Sequence, residues 1–149
     1  MKLEEEIGQK KFKSDIQKML INIMYTSNWL QYKFSEILKK YEITIQQFNI
    51  LRILRGQHPS PARMQLLQER MLDKMSNASR LVERLRKKNL VSRNICKNDR
   101  RAVDVKITEL GLALLQELDS MELEWQKRFK KMDAKDITKL NLILDNLRN

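Results

Sequence analysis

Two clusters in this 149-residue chain have residue types and spacing suited to gripping a polyanion. In "SNASR", Ser76, Asn77 and Ser79 offer short hydroxyl and amide groups for base edges or phosphates, and Arg80 carries a donor fork that matches guanine O6/N7 or a phosphate. Arg84 stands about one helical turn further along the same face. The second cluster is "KNDRR", which sets Lys97, Asn98, Asp99, Arg100 and Arg101 side by side. Asp99 precedes Arg101 by two, a spacing at which a carboxylate could pair with a guanidinium and hold its direction. An ordinary surface turn with a solvated ion pair is the plain alternative. From Arg80 to Lys106, ten basic residues face three acids, Glu83, Asp99 and Asp104, in a chain whose net charge is +11. So local an excess is the electrostatic footprint of a nucleic-acid binder, against the alternative of a solvated helix face.

These side chains need a helix and a ribbon to carry them. Val103, Val105 and Ile107 alternate with Asp104 and Lys106, the period of a half-buried strand, and Leu90 to Cys96 can supply its partner. The polar, basic tip between them has no glycine or proline for a tight two-residue turn. Ahead of the hairpin, "DKMSNASRLVERLRKK" predicts a helix capped by Asp73 or Ser76, with Leu81, Val82 and Leu85 inward and Asn89 at a left-handed C-terminal position. "ARMQLLQERML" predicts a short helix with Ser60-Pro61 as its cap and first-turn pair, and "TIQQFNILRIL" one with a Thr44/Gln47 capping box and Phe48, Leu51 and Leu54 inward. A long helical pattern occupies residues 10–41. After the hairpin Thr108 caps a second long helix, Leu110 to Lys131, whose stripe runs through Leu110, Leu114, Leu118, Met121, Trp125, Phe129 and Met132. A closing helix bears Ile137, Leu140, Leu144 and Leu147. Apolar stripes on the terminal helices reach beyond what the central unit could cover, so a second copy of the chain is the expected cover.

The remaining chemistry is sparse. The lone Cys96 forms no internal disulfide, and its strand position suits half-buried packing better than redox sensing. No Cys/His set has metal-ligand spacing, and no cofactor is expected. A nucleophile–base constellation and a glycine-rich phosphate loop are both missing, so an enzyme is the weakest reading. The one histidine, His58, lies in a turn before Pro59 and reads as a loop or capping residue. No apolar run reaches the roughly 18–20 residues needed to span a bilayer, and "MKLEEEIGQKK" lacks the apolar segment of a signal peptide. The expected compartment is the cytoplasm.

"SRLVERLRKKNLVSR" followed by "DRRAVDVKITELG" closely resembles the MarR (multiple antibiotic resistance regulator) family of transcription factors. The residues that carry the likeness are Ser79, Arg80 and Leu85, then Leu90, Val91 and Arg93, then Asp99 and Arg101, then Ile107, Thr108 and Gly111. Asn89 stands where glycine is usual and Ile107 where leucine is. The resemblance implies a mainly α fold with a small β-hairpin wing. It is a single domain over residues 1–149, in which a winged helix-turn-helix lobe (44–108) is flanked by dimerisation helices (10–41 and 109–149). It implies a homodimer on a pseudo-palindromic operator in double-stranded DNA, with two recognition helices in successive major grooves and half-sites about 10 bp apart. Ser76, Asn77, Ser79, Arg80 and Arg84 would then read DNA from the helix. On the wing, Arg101 would enter the minor groove, oriented by Asp99, while Lys97, Asn98 and Arg100 serve the backbone.

Most such proteins repress, and are released by cysteine oxidation or by a small phenolic or other lipophilic molecule. No cysteine stands near the start of the first helix, where the redox branch of the family has one. A ligand crevice could be lined by Tyr25, Asn28 and Trp29 with Phe48 or Arg52, although aromatics at helical spacing are more often plain core. Two alternatives stay open beside the ligand-responsive repressor: a non-specific DNA-coating or architectural protein, and an interaction module with a basic face.

Overall fold

The computed structural model describes residues 2–96 and 99–149, with side chains throughout these ranges except at 95–102. A short helix α1 (Leu3–Glu6) precedes α2 (Asp15–Lys39). The first long helix thus begins later than residue 10: Gly8 takes φ 66°, and the Ser14 hydroxyl accepts the Gln17 amide 3.1 Å away, defining the N-cap. α3 (Ile45–Gln57) starts at the expected Thr44/Gln47 capping box and supplies much of the core through Phe48, Ile50, Leu51 and Leu54.

Next come β1 (Ala62–Arg63), α4 (Met64–Arg70) and α5 (Ala78–Lys87). Ser60-Pro61 is not the start of α4. Ala62 and Arg63 instead pair antiparallel with Val105 and Asp104, so backbone hydrogen bonding claims the segment and the Ala62 side chain is buried. β2 (Val91–Cys96) and β3 (Asp99–Ile107) complete a three-stranded sheet of order β1-β3-β2, with Val91 opposite Ile107 and Arg93 opposite Val105. Val105 and Ile107 are buried, Val103 is half-buried and Lys106 is exposed, as the alternation requires. Asn89 takes φ 58° between α5 and β2, the left-handed position expected of it.

Thr108 caps α6 (Glu109–Gln126), its hydroxyl accepting the Gly111 amide at 3.1 Å. A single 3₁₀ turn (Lys127–Phe129) then ends the run that the sequence extends to Lys131, and α7 (Ala134–Asn146) closes the described chain. The inward stripe of α6 also differs from expectation. Gly111, Leu115 and Leu118 are buried, whereas Leu110 is exposed. Gly111 is the cause: a Cβ there would meet the Leu90 carbonyl oxygen at 2.4 Å and Ile107 Cγ1 at 2.7 Å, so the helix lies on the wing through its glycine. Leu115 and Leu118 follow at helical spacing on that face. The core joins Leu38 of α2 and the inner faces of α3, α4 and α5 to the sheet and α6. The outer faces of the terminal helices stay uncovered, with Ile16, Leu20 and Met24 exposed on α2 and Ile137, Leu140 and Ile143 exposed on α7.

Candidate nucleic-acid interface

Helices α4 and α5 and the turn between them are set by side chains that hold backbone. Gln68 donates to the Ser76 carbonyl (2.8 Å) and accepts the Ala78 amide (3.0 Å), tying α4 to the first turn of α5. Asp73 closes the turn by accepting the Met75 amide (3.0 Å) and the Ser76 hydroxyl (2.6 Å). Hydrogen bonds from the Ser76 hydroxyl and the Met75 amide hold the Asp73 carboxyl below the usual carboxylate range. The N-cap of α5 is Asn77, whose Oδ1 accepts the Arg80 amide at 3.0 Å. The cap is therefore neither Asp73 nor Ser76, because both are consumed in the preceding turn. Among the expected base-reading groups, the Asn77 oxygen and the Ser76 hydroxyl thus already have structural partners.

The outer face of α5 carries Ser79, Arg80 and Arg84, all exposed, opposite buried Ala78, Val82 and Leu85. An open hollow of about 360 Å³ lies along it, bordered by Thr44, Gln46, Ser76, Asn77, Arg80 and Arg84. Arg80 and Arg84 have no ion pair among the described residues, while the neighbouring arginines are committed. Glu83 accepts two hydrogen bonds from Arg86 (2.8 and 3.0 Å) and lies 3.8 Å from Arg93 on β2. Those bonds from Arg86, with the added charges of Lys87 and Arg93, depress the Glu83 carboxyl, while the Glu83 carboxylate in turn raises the Arg86 guanidinium. The result is a helix face with two unpaired guanidiniums, bordered by a pinned salt-bridge cluster. Lys97 and Asn98 lie outside the described residues, as do the side chains of Asp99, Arg100 and Arg101.

Behind the turn, α2, α3 and α6 border an open cavity of about 480 Å³. Its apolar walls are Leu30, Phe34, Ile45, Phe48, Leu72 and Trp125. The Phe34 ring meets Phe48 edge-on at 5.2 Å and lies 6.1 Å from Trp125. Gln31, Asn49 and Gln126 add amides, and Arg52 and Glu122 add one charge of each sign. Asn49 also accepts the Leu72 amide at 2.9 Å, so one residue lines the cavity and pins the turn that leads into α5.

Residues 43–103 match the model of the MarR family. The chain is 25% identical over 122 residues to the HTH-type transcriptional repressor IacR of Pseudomonas putida, spanning 81% of this chain and 69% of that one. A MarR transcription factor from Planctomyces limnophilus superposes with a TM-score of 0.70 at 27% identity, over 91% of this chain and 98% of that one. Over this central lobe the chain is similar to the MarR family. Its fold is shared with the organohalide-sensing RdhR transcriptional regulator in its 2,4-dichlorophenol-bound form, at a TM-score of 0.79 and 18% identity over 95% and 86% of the two chains. MarR proteins are dimerising, non-enzymatic DNA-binding transcription regulators. Among the described residues of this one, no helix is long and apolar enough to cross a membrane.

The expected crevice residues divide between two places. Phe48 and Arg52 line the cavity, whereas Tyr25 and Trp29 border a smaller hollow against α1, where the Tyr25 hydroxyl donates to Glu6 at 2.8 Å. That bond, more than burial, raises the Tyr25 hydroxyl above its ordinary value. Asn28 is exposed and lines neither hollow. Helix geometry explains the split: at about 100° per residue, Leu30 and Phe34 lie more than a quarter turn round from Tyr25 and Trp29. Gln68, Asn49, Gln31 and Trp125 were not foreseen for these roles. Gln68 and Asn49 act on backbone across a turn, which side-chain periodicity does not encode.

Proposed function

We propose that this chain is a homodimeric repressor that occupies a pseudo-palindromic operator and is released when a small lipophilic or phenolic molecule fills the cavity beneath the helix-turn-helix. The observation that carries the reading is the exposed face of α5, where Arg80 and Arg84 stand free of ion pairs among the described residues on a helix fixed at its start by Asn77 and Gln68. Ser79, Arg80 and Arg84 would meet base edges and phosphates in the major groove, while Ser76 and Asn77 position the helix. Wing residues Lys97, Asn98, Arg100 and Arg101 would follow the backbone and enter the neighbouring minor groove, with Asp99 aiming Arg101. The uncovered apolar faces of α2 and α7 would join the two copies.

The effector part rests on the cavity. Its volume of about 480 Å³ falls within the usual range for small-molecule sites, and its walls are mostly apolar. One wall is Leu72 in the turn itself, so an occupant would press directly on the segment that orients α5. RdhR, which shares the fold, was captured with 2,4-dichlorophenol.

The test is an affinity ratio. DNA from just upstream of this protein's reading frame, if it carries a palindrome, should bind roughly 10³-fold or more tightly than random duplex at the same salt. A ratio near one would instead indicate a DNA-coating protein, and no DNA binding at moderate salt an interaction module with a basic face.

A further inference from the structure

The charges at the cavity rim constrain what the cavity admits. Arg52 is the one cation among its lining residues and Glu122 the one anion. Arg52 Nη1 lies 3.1 and 2.9 Å from the two carboxylate oxygens of Glu122, and its guanidinium carbon sits 5.8 Å from the centre of the Phe48 ring. The cation is thus already paired with a carboxylate and stacked on a wall of the cavity. The next rung between the same helices is a second pair, Arg55 with Asp119, at 2.7 and 3.1 Å. Arg55 is therefore not available to take over Glu122 if Arg52 is withdrawn.

An aromatic carboxylate entering this space would meet Glu122 as a like charge and would find Arg52 already neutralised through Nη1, with only Nη2 and Nε left to donate. Two carboxylates sharing one guanidinium beside apolar walls leave one negative charge without a counter-ion, which disfavours the second carboxylate. An uncharged phenol or related alcohol needs no counter-ion. Its hydroxyl can use the amides of Gln31, Asn49 or Gln126, while its ring packs among Phe34, Phe48 and Trp125. We infer that Glu122 sets the charge class of the effector: the cavity takes an uncharged aromatic molecule bearing a hydrogen-bonding oxygen and turns away the matching carboxylate, because Glu122 already neutralises Arg52, the one cation of the lining. The inference rests on the effector reading of the cavity.

The test uses the full-length protein and two probes of similar size, 4-chlorophenol and 4-chlorobenzoate, titrated calorimetrically at pH 7, where the phenol is unionised and the benzoate ionised. Trp125 emission, read in a Trp29→Phe background, reports whether occupancy is in this cavity. The phenol should bind the unaltered protein roughly tenfold or more tightly than the benzoate. Glu122→Gln should raise benzoate affinity by about the same factor and leave phenol affinity within about twofold. In Arg52→Gln/Glu122→Gln that gain should vanish. A benzoate that equals or beats the phenol on the unaltered protein overturns the inference alone, and that comparison needs no variant to fold. So does a folded Glu122→Gln protein with an unchanged ratio. Silence from both probes defeats the effector reading and the inference with it, while leaving DNA binding to be judged separately by the operator ratio.

Discussion

The four arginines and lysines of α5 are not equivalent, and their partners decide what each can do. Arg80 keeps its guanidinium free of ion pairs among the described residues, while Arg86 is held by Glu83 through two hydrogen bonds. Arg80→Ala should therefore weaken operator binding by about 1–3 kcal/mol and relax sequence preference, whereas Arg86→Ala should cost less and leave the preference intact. Competition assays with single-base operator variants read both effects. Glu83 makes a converse prediction. Its carboxyl is depressed in the folded protein by Arg86, so its contribution to stability is complete above the usual carboxylate range and fades as pH falls through the lowered value. Thermal melts of Glu83→Gln against the unaltered protein should accordingly differ most near neutrality and converge in acid. Freed from Glu83, Arg86 and Arg93 should also raise affinity for random duplex and steepen its dependence on salt.

At the scale of elements, α5 is held by a frame that side-chain periodicity reveals only in part. Thr44 with Gln47, Thr108, Asn89 and the alternation along β3 were all legible, because caps, left-handed positions and strand period depend on a few neighbouring residues. The first turns of the α6 stripe were misread by one position of the helix wheel, with Gly111 and Leu115 inward in place of Leu110 and Leu114, while Leu118 is buried as expected. The approach of Gly111 to the Leu90 carbonyl, a contact across the fold, overrides the count of apolar residues. β1 escaped notice for a similar reason, since two residues carry no period and only the pairing with β3 defines them. The exposed face of α5 was legible in Ser79, Arg80 and Arg84, while the capping role of the Asn77 oxygen was not, because Asp73 and Ser76 offered the same chemistry nearby. Gln68 belongs to the part that could not be read. It bridges the Ser76 carbonyl and the Ala78 amide, so Gln68→Ala should loosen the first turn of α5 without removing any group expected to touch DNA. The expected result is a loss of about 1–2 kcal/mol in stability, faster amide exchange at Ala78 and weaker operator binding. Unchanged exchange there would show that Asn77 and Asp73 suffice to fix the turn.

For the whole molecule, the decisive quantity is the apolar surface left on the terminal helices. Ile16, Leu20 and Met24 on α2, with Ile137, Leu140 and Ile143 on α7, present rows that the single chain does not bury. Rows of this extent are unfavourable in water and call for a partner surface. A second copy related by a two-fold axis would bury them and place two copies of α5 on one side of a duplex, about one helical turn apart. Operator binding then depends on the joint even though no residue of α7 need reach DNA. Leu140→Glu puts a charge into the proposed joint while leaving the core of the winged lobe untouched, because Leu140 is absent from that core. Sedimentation should show the variant shifted toward monomer at micromolar concentration, with a far-ultraviolet spectrum close to that of the unaltered protein. Its affinity for a full operator should fall toward that for a single half-site, since the second reading helix is no longer tethered near its own site. A Leu140→Glu protein that stays dimeric and binds operator fully would move the joint off this face of α7. Loss of operator affinity with the dimer intact would instead mean that α7 acts by orienting the two lobes.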